Sequence, residues 1–117
     1  MTHAAATPGA RLLNAADHTL IMIDYQSQMA FATKSISATE LRNNAGLVAS
    51  AAAGFGVSTI LTTVAEKSFS GPMFSEVTAP FPGKALLDRT SMNTWEDEAV
   101  IAEVNAIGKG RIVLAGL

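Results

Sequence analysis

Two kinds of apolar pattern alternate along the chain. Thr19-Leu20-Ile21-Met22-Ile23 is an unbroken β-branched and apolar run that ends at Asp24. It is too short for a typical helix and fits a strand covered on both faces. Leu41, Ala45, Val48, Ala52 and Phe55 then recur at helical spacing, behind a Ser37/Glu40 capping box and ahead of the stop signals Gly54 and Gly56. Val57-Ser58-Thr59-Ile60-Leu61-Thr62 predicts a second strand. Ala85-Leu86-Leu87 predicts a short third one leading to Arg89. A second helix follows, with Asn93 or Thr94 as its cap and Glu96, Asp97 and Glu98 in the first turn, where the macrodipole favours anions. Its stripe is Val100, Ile101, Val104 and Ile107, and Gly108 ends it. Residues 111–117 predict a fourth buried strand.

Between these elements the pattern is irregular. Residues 1–13 hold Ala, Thr, Pro and Gly without periodicity and read as a loose arm. Residues 25–36 read as a loop with a short helical turn. Residues 64–83 carry Gly71-Pro72 and Pro80-Phe81-Pro82-Gly83, the marks of a long, turn-rich connection. Buried strands alternating with amphipathic helices predict an α/β fold, a parallel sheet with right-handed crossovers, in one domain from residue 14 onward. Two helices are few for covering both faces of such a sheet. The chain therefore reads as the front part of a larger domain, cut after its fourth strand.

Composition narrows the function. The chain has 117 residues, 49% of them hydrophobic and only 15% charged, enough apolar material for a packed core. Eight basic against ten acidic side chains give a net charge of −2, a poor start for binding nucleic acid. No apolar run is long enough for a membrane span, and the first residues lack the pattern of a secretion signal, so the expected location is the cytoplasm. There is no cysteine, so these residues supply no disulfide, thiolate metal site or thiol nucleophile.

Asp24 is the most informative residue. It ends the first strand, at the carboxyl edge where α/β sheets bind ligands, and could serve as base, metal ligand or nucleophile, or simply cap a loop. A haloacid-type phosphatase would need a second Asp where Gln26 stands. An integrin-type metal site would need serines where Gln26 and Gln28 stand. A dinucleotide-binding turn would need glycines directly after the strand, and none occurs before Gly46. Arg89 should face the same edge, where it could compensate the Asp24 charge or be a solvated surface residue. Lys67 and Lys84 are weaker candidates for that role, Ser68 and Ser91 are conceivable nucleophiles without a placed base, and His18 reads as a surface residue.

Taken together, these segments resemble the isochorismatase-like hydrolases, the superfamily of nicotinamidases and other cysteine amidohydrolases. The carriers are Leu20-Ile21-Met22-Ile23-Asp24-Tyr25-Gln26 with the trailing Phe31, then Ile60-Leu61-Thr62-Thr63, Gly71-Pro72, Arg89 ahead of Asn93-Thr94-Trp95, and Ile112-Val113-Leu114-Ala115-Gly116. The resemblance runs from about residue 12 to the last residue and is strongest to octameric bacterial hydrolases of unknown substrate, in which Arg replaces the superfamily's usual Lys.

The resemblance implies a doubly wound, Rossmann-like parallel sheet of order 3-2-1-4. It also implies hydrolysis of a small amide or related C–N bond by a Cys-Asp-Arg/Lys mechanism. Asp24 matches the base that takes the thiol proton, and Arg89 matches the cation beside it. Gln26, Phe31, Asn93 and Trp95 are the expected substrate-binding residues. The family's Cys and its oxyanion-stabilising amides lie a few residues past the fourth strand, beyond Leu117, so this chain alone is expected to be inactive. The Asp/His metal cluster of the nicotinamidase branch has no match, and no cofactor is expected. The expected partners are a small-molecule substrate and further copies of the chain, with no nucleic acid and no membrane. The alternatives are a non-catalytic ligand-binding module and a structural subunit of an oligomer.

Overall fold

The computed structural model describes residues 12–117. The arm expected over residues 1–13 falls almost wholly outside them. The fold is α/β. Strands β1 (His18–Ile23), β2 (Ser58–Val64), β3 (Leu87–Arg89) and β4 (Arg111–Gly116) form one parallel sheet of order β3-β2-β1-β4. Helix α1 (Ala38–Gly54) crosses from β1 to β2. The single turn α2 (Ser75–Thr78) lies in the long connection after β2, and α3 (Glu98–Ile107) precedes β4.

The local chemistry explains the elements. The Ser37 hydroxyl accepts from the Glu40 amide at the start of α1. The left-handed Gly108 ends α3 as a glycine C-cap should. Each sheet face has its own apolar cluster. Leu20, Met22 and Leu61 pack with Leu41, Ala45, Ala49 and Ala52 of α1 and with Phe74 and Val77. Ile21 and Ile60 pack with Val100 and Val104 of α3 on the other face. The alternation of Leu20, Ile21 and Met22 between these clusters is why the centre of β1 shows no polar positions.

Several boundaries differ from the sequence reading. Strand β2 runs on to Val64, and β3 is Leu87–Arg89 instead of 85–87, because pairing begins only at Thr62 with Leu87. The buried stripe of α1 uses Ala49 where Val48 was expected, while Val48 and Phe55 stay exposed beside an apolar groove. Asn93 caps a separate 3-10 turn, Thr94–Glu96, by accepting from the Trp95 amide. The cap of α3 is Asp97, whose carboxylate accepts from the Val100 amide. Two acceptors so close in sequence can start two consecutive turns.

Strand β4 is the least covered. Ile112 and Leu114 are exposed, while Val113 and Ala115 point to the α1 side. At its end β4 presses close to β1, where Gly116 pairs with Ile23. A Cβ on Gly116 would collide with the Ile23 carbonyl, so the approach requires glycine. No helix among the described residues is long and apolar enough to cross a membrane.

Candidate active site

The sheet's order puts the carboxyl ends of β1, β2 and β3 side by side, and the chain changes direction sharply at two of them. Asp24, after β1, has φ 57°, and Ala65, after β2, has φ 45°. Left-handed backbone is tolerated by Asp and is strained for Ala, and such strain collects at functional sites. The Asp24 amide still donates to the Thr62 carbonyl, so the turn begins immediately after the last ladder bond.

Arg89, the last residue of β3, meets Asp24 across β2. Nη1 donates to Oδ1 at 2.9 Å and Nη2 to Oδ2 at 3.1 Å, a fork-on-fork pair. The Arg89 side chain is wholly buried and that of Asp24 is 7% exposed. The other three guanidinium protons are also engaged. Nη1 donates to Thr62 Oγ1 at 3.0 Å, Nη2 to the Met92 carbonyl at 3.3 Å, and Nε to the Ser91 carbonyl at 3.3 Å. An arginine has five N–H donors, and here all five are used. A buried cation is tolerable only when paired and bonded in this way. It acts on the site as a fixed positive charge and has no donor left for a substrate. The carboxylate is different: two oxygens offer about four acceptor positions, and Arg89 takes two.

The other expected site residues are placed as follows. Gln26 is fully buried and spends its carboxamide inside the protein. Nε2 donates to the Val64 and Gly71 carbonyls at 3.0 and 2.7 Å, and Oε1 accepts from the Val64 amide at 2.9 Å. Both side-chain donors of this expected substrate-binding residue face backbone carbonyls. Phe31 sits in the 3-10 turn Met29–Ala32 and is 84% exposed. Asn93 is the cap described above, and Trp95 beside it is half exposed. Ser68 donates to the Ala65 carbonyl and Ser91 to that of Asn93, so neither hydroxyl faces a base.

Sequence reasoning missed Thr62 as a partner of the charge pair. Its hydroxyl donates to the Leu87 carbonyl at 2.7 Å and accepts from Arg89, a relay that ties β2 to β3 beneath the guanidinium. The register Ile23 with Thr62 is the signal that would have placed it there. Asp88 was missed too: its carboxylate accepts from the Thr63 hydroxyl and the Glu66 amide and anchors the start of the long connection.

The parallel sheet, the doubled turn at the strand ends and the buried acid–guanidinium pair define an α/β protein with a preformed charge centre at its carboxyl edge. No family model matches the chain. Over 102 residues it is 29% identical to the "Probable hydrolase YcaC" of Escherichia coli strain K12, a match covering 86% of this chain and 49% of that protein. Its fold is similar to the crystal structure of the E. coli YcaC gene product, an octameric hydrolase of unknown specificity. That match has TM-score 0.84 and 30% identity over 90% of this chain and 52% of that one. It is also similar to YcaC from Pseudomonas aeruginosa, solved with hexane-2,5-diol and covalent acrylamide. There the TM-score is 0.85 with 30% identity, over 92% of this chain and 54% of that one. The MAR1 ribonuclease of Caenorhabditis elegans, with TM-score 0.63 and 18% identity, shares the fold alone. The chain thus spans about half the length of the relatives it matches.

Proposed function

We propose that the chain is the amino-terminal part of an isochorismatase-like hydrolase that cleaves a small amide or related C–N bond. The buried bidentate pair of Asp24 and Arg89 carries this reading. Asp24 is the general base and Arg89 the fixed cation that keeps a negative charge tolerable at the site. The nucleophile is a thiol from outside these residues, which hold no cysteine. The end of β4 lies beside the base: the Leu117 amide donates to the Ile23 carbonyl, one residue before Asp24.

In the proposed cycle Asp24 takes the thiol proton and the sulfur forms a bond to the carbonyl carbon. The C–N bond then breaks as the proton passes from Asp24 to the leaving nitrogen, and water hydrolyses the thioester. Acrylamide, bound covalently in the P. aeruginosa relative, is an electrophile that captures nucleophiles, in keeping with such chemistry. The octameric E. coli relative supports a homo-oligomer as the working form. No nucleic acid, membrane or cofactor enters the proposed reaction.

The test compares the product of the longer reading frame with the 117-residue chain on a panel of small amides. Turnover is expected only in the longer product, with a loss of about a hundredfold or more in kcat on Asp24→Asn. Turnover by the 117-residue chain that vanishes on Asp24→Asn would overturn the assignment of the nucleophile. Undiminished turnover in the longer Asp24→Asn variant would overturn the assignment of the base.

A further inference from the structure

The β2 ladder continues past the point where β1 leaves it. Asp24 donates its amide to Thr62, then turns away at φ 57°. The next group of β2 on that side is Val64, and both its amide and its carbonyl are met by one partner, the Gln26 carboxamide. A primary amide carries the same donor–acceptor pair as a peptide group, and here it occupies the place that β1 vacates. We propose that Gln26 is a positioning residue for Asp24. Its side chain stands in for the missing stretch of β1, so the backbone can turn the carboxylate onto Arg89 while β2 stays fully bonded.

Two further contacts fix the substitute. The second Nε2 proton donates to the Gly71 carbonyl, and Gln26 pairs in antiparallel fashion with Met73. The Ser27 amide donates to Pro72 and the Gln28 amide to Ser70, so residues 26–28 are clamped to the segment after β2. A Cβ on Gly71 would come within 2.6 Å of Ser27 Oγ, which explains the glycine at that close approach. The Gln26 amide donates to the Asp24 carbonyl at 2.7 Å, so the clamp reaches the base through a single tight turn. Residue type matters here. Met has a similar length without the bonds, and Glu in its ionised form would set a carboxylate oxygen against two carbonyls.

The inference rests on reading Asp24 as the general base, but its main test does not require turnover. Exchange of the Arg89 guanidinium protons with solvent, followed by NMR in the full chain, reports whether the Asp24 carboxylate remains in place. Gln26→Met is compared with Val104→Ala, which loosens the opposite sheet face and serves as a control for general destabilisation. The expected result is a tenfold or greater acceleration at Arg89 in Gln26→Met and little change in Val104→Ala. Equal acceleration in both, or none in Gln26→Met, would refute the positioning role.

If Gln26→Met does not fold, Gln26→Glu provides the same test. Its exchange relative to wild type should rise with pH as the new carboxyl ionises, and a flat ratio would refute the role. In the active longer product, Gln26→Met should lower kcat at nearly constant KM. Acceleration at Arg89 in a protein that never turns over any amide would leave the positioning intact and overturn the hydrolase reading instead.

Discussion

Asp24→Asn removes one charge from the carboxyl edge and leaves the other where it is. In the wild-type chain two short bonds join the carboxylate to a guanidinium with no solvent exposure. Asparagine keeps one acceptor and presents an NH2 group to a fork that can only donate, so one Arg89 bond is lost and a donor faces a donor. The uncompensated buried cation dominates the cost, about 3–5 kcal/mol for breaking a pair of this kind. A domain of this size has about 5–15 kcal/mol in all, so the variant should lose about a fifth or more of its stability. With a urea dependence of about 1–3 kcal/mol/M, the unfolding midpoint should fall by about 2 M.

The double variant Asp24→Asn/Arg89→Met separates this cause from lost packing. It removes the stranded charge, and the acceptors it frees are easily spared: Thr62 still donates to Leu87, and the Ser91 and Met92 carbonyls sit at the long distance of 3.3 Å. Its stability should exceed the sum of the single effects by at least about 1 kcal/mol of coupling. Strict additivity, or a midpoint shift below about 0.5 M for Asp24→Asn, would show that the pair is not the electrostatic centre described above.

Three other outcomes follow from the same geometry. Gly116→Ala should drive β4 away from Ile23, destabilise the chain by about 1–3 kcal/mol and speed hydrogen exchange at the Leu117 amide, whose acceptor is Ile23. Burial raises the Tyr25 phenol above its usual 10.0, so the unfolded chain ionises first. That contribution to stability is whole below about pH 10 and is lost as pH rises through the folded value, and the difference between wild type and Tyr25→Phe in alkaline denaturation isolates it. The exposed Ile112 and Leu114 of β4 should make the 117-residue chain self-associate, with Leu114→Lys shifting light scattering toward the monomer; a wild-type monomer across concentrations would contradict this.

Much of the fold could be read from the chain because β1, β2 and β4 are short runs of β-branched and apolar residues with few alternatives. Strand β3 could not be delimited, since three residues carry no periodicity and its pairing is set by where Thr62 ends up. Asn93 and Asp97 are equally good caps by type, and only the path of the backbone assigns one to the 3-10 turn and the other to α3. The meeting of Asp24 and Arg89, 65 residues apart, was accessible because both close strands of a parallel sheet. Gln26 was not. A glutamine two residues after an acid looks the same whether it faces a ligand or the backbone, and the difference lies in Val64 and Gly71, which no local pattern connects to it.

The groups that hold the guanidinium come from Asp24, Thr62, Ser91 and Met92, all upstream of β4. A nascent polypeptide emerging from the ribosome therefore carries every contact of that ion pair before its fourth strand has been made. The charged centre can assemble early, and later segments then arrive at a surface whose electrostatics are already set.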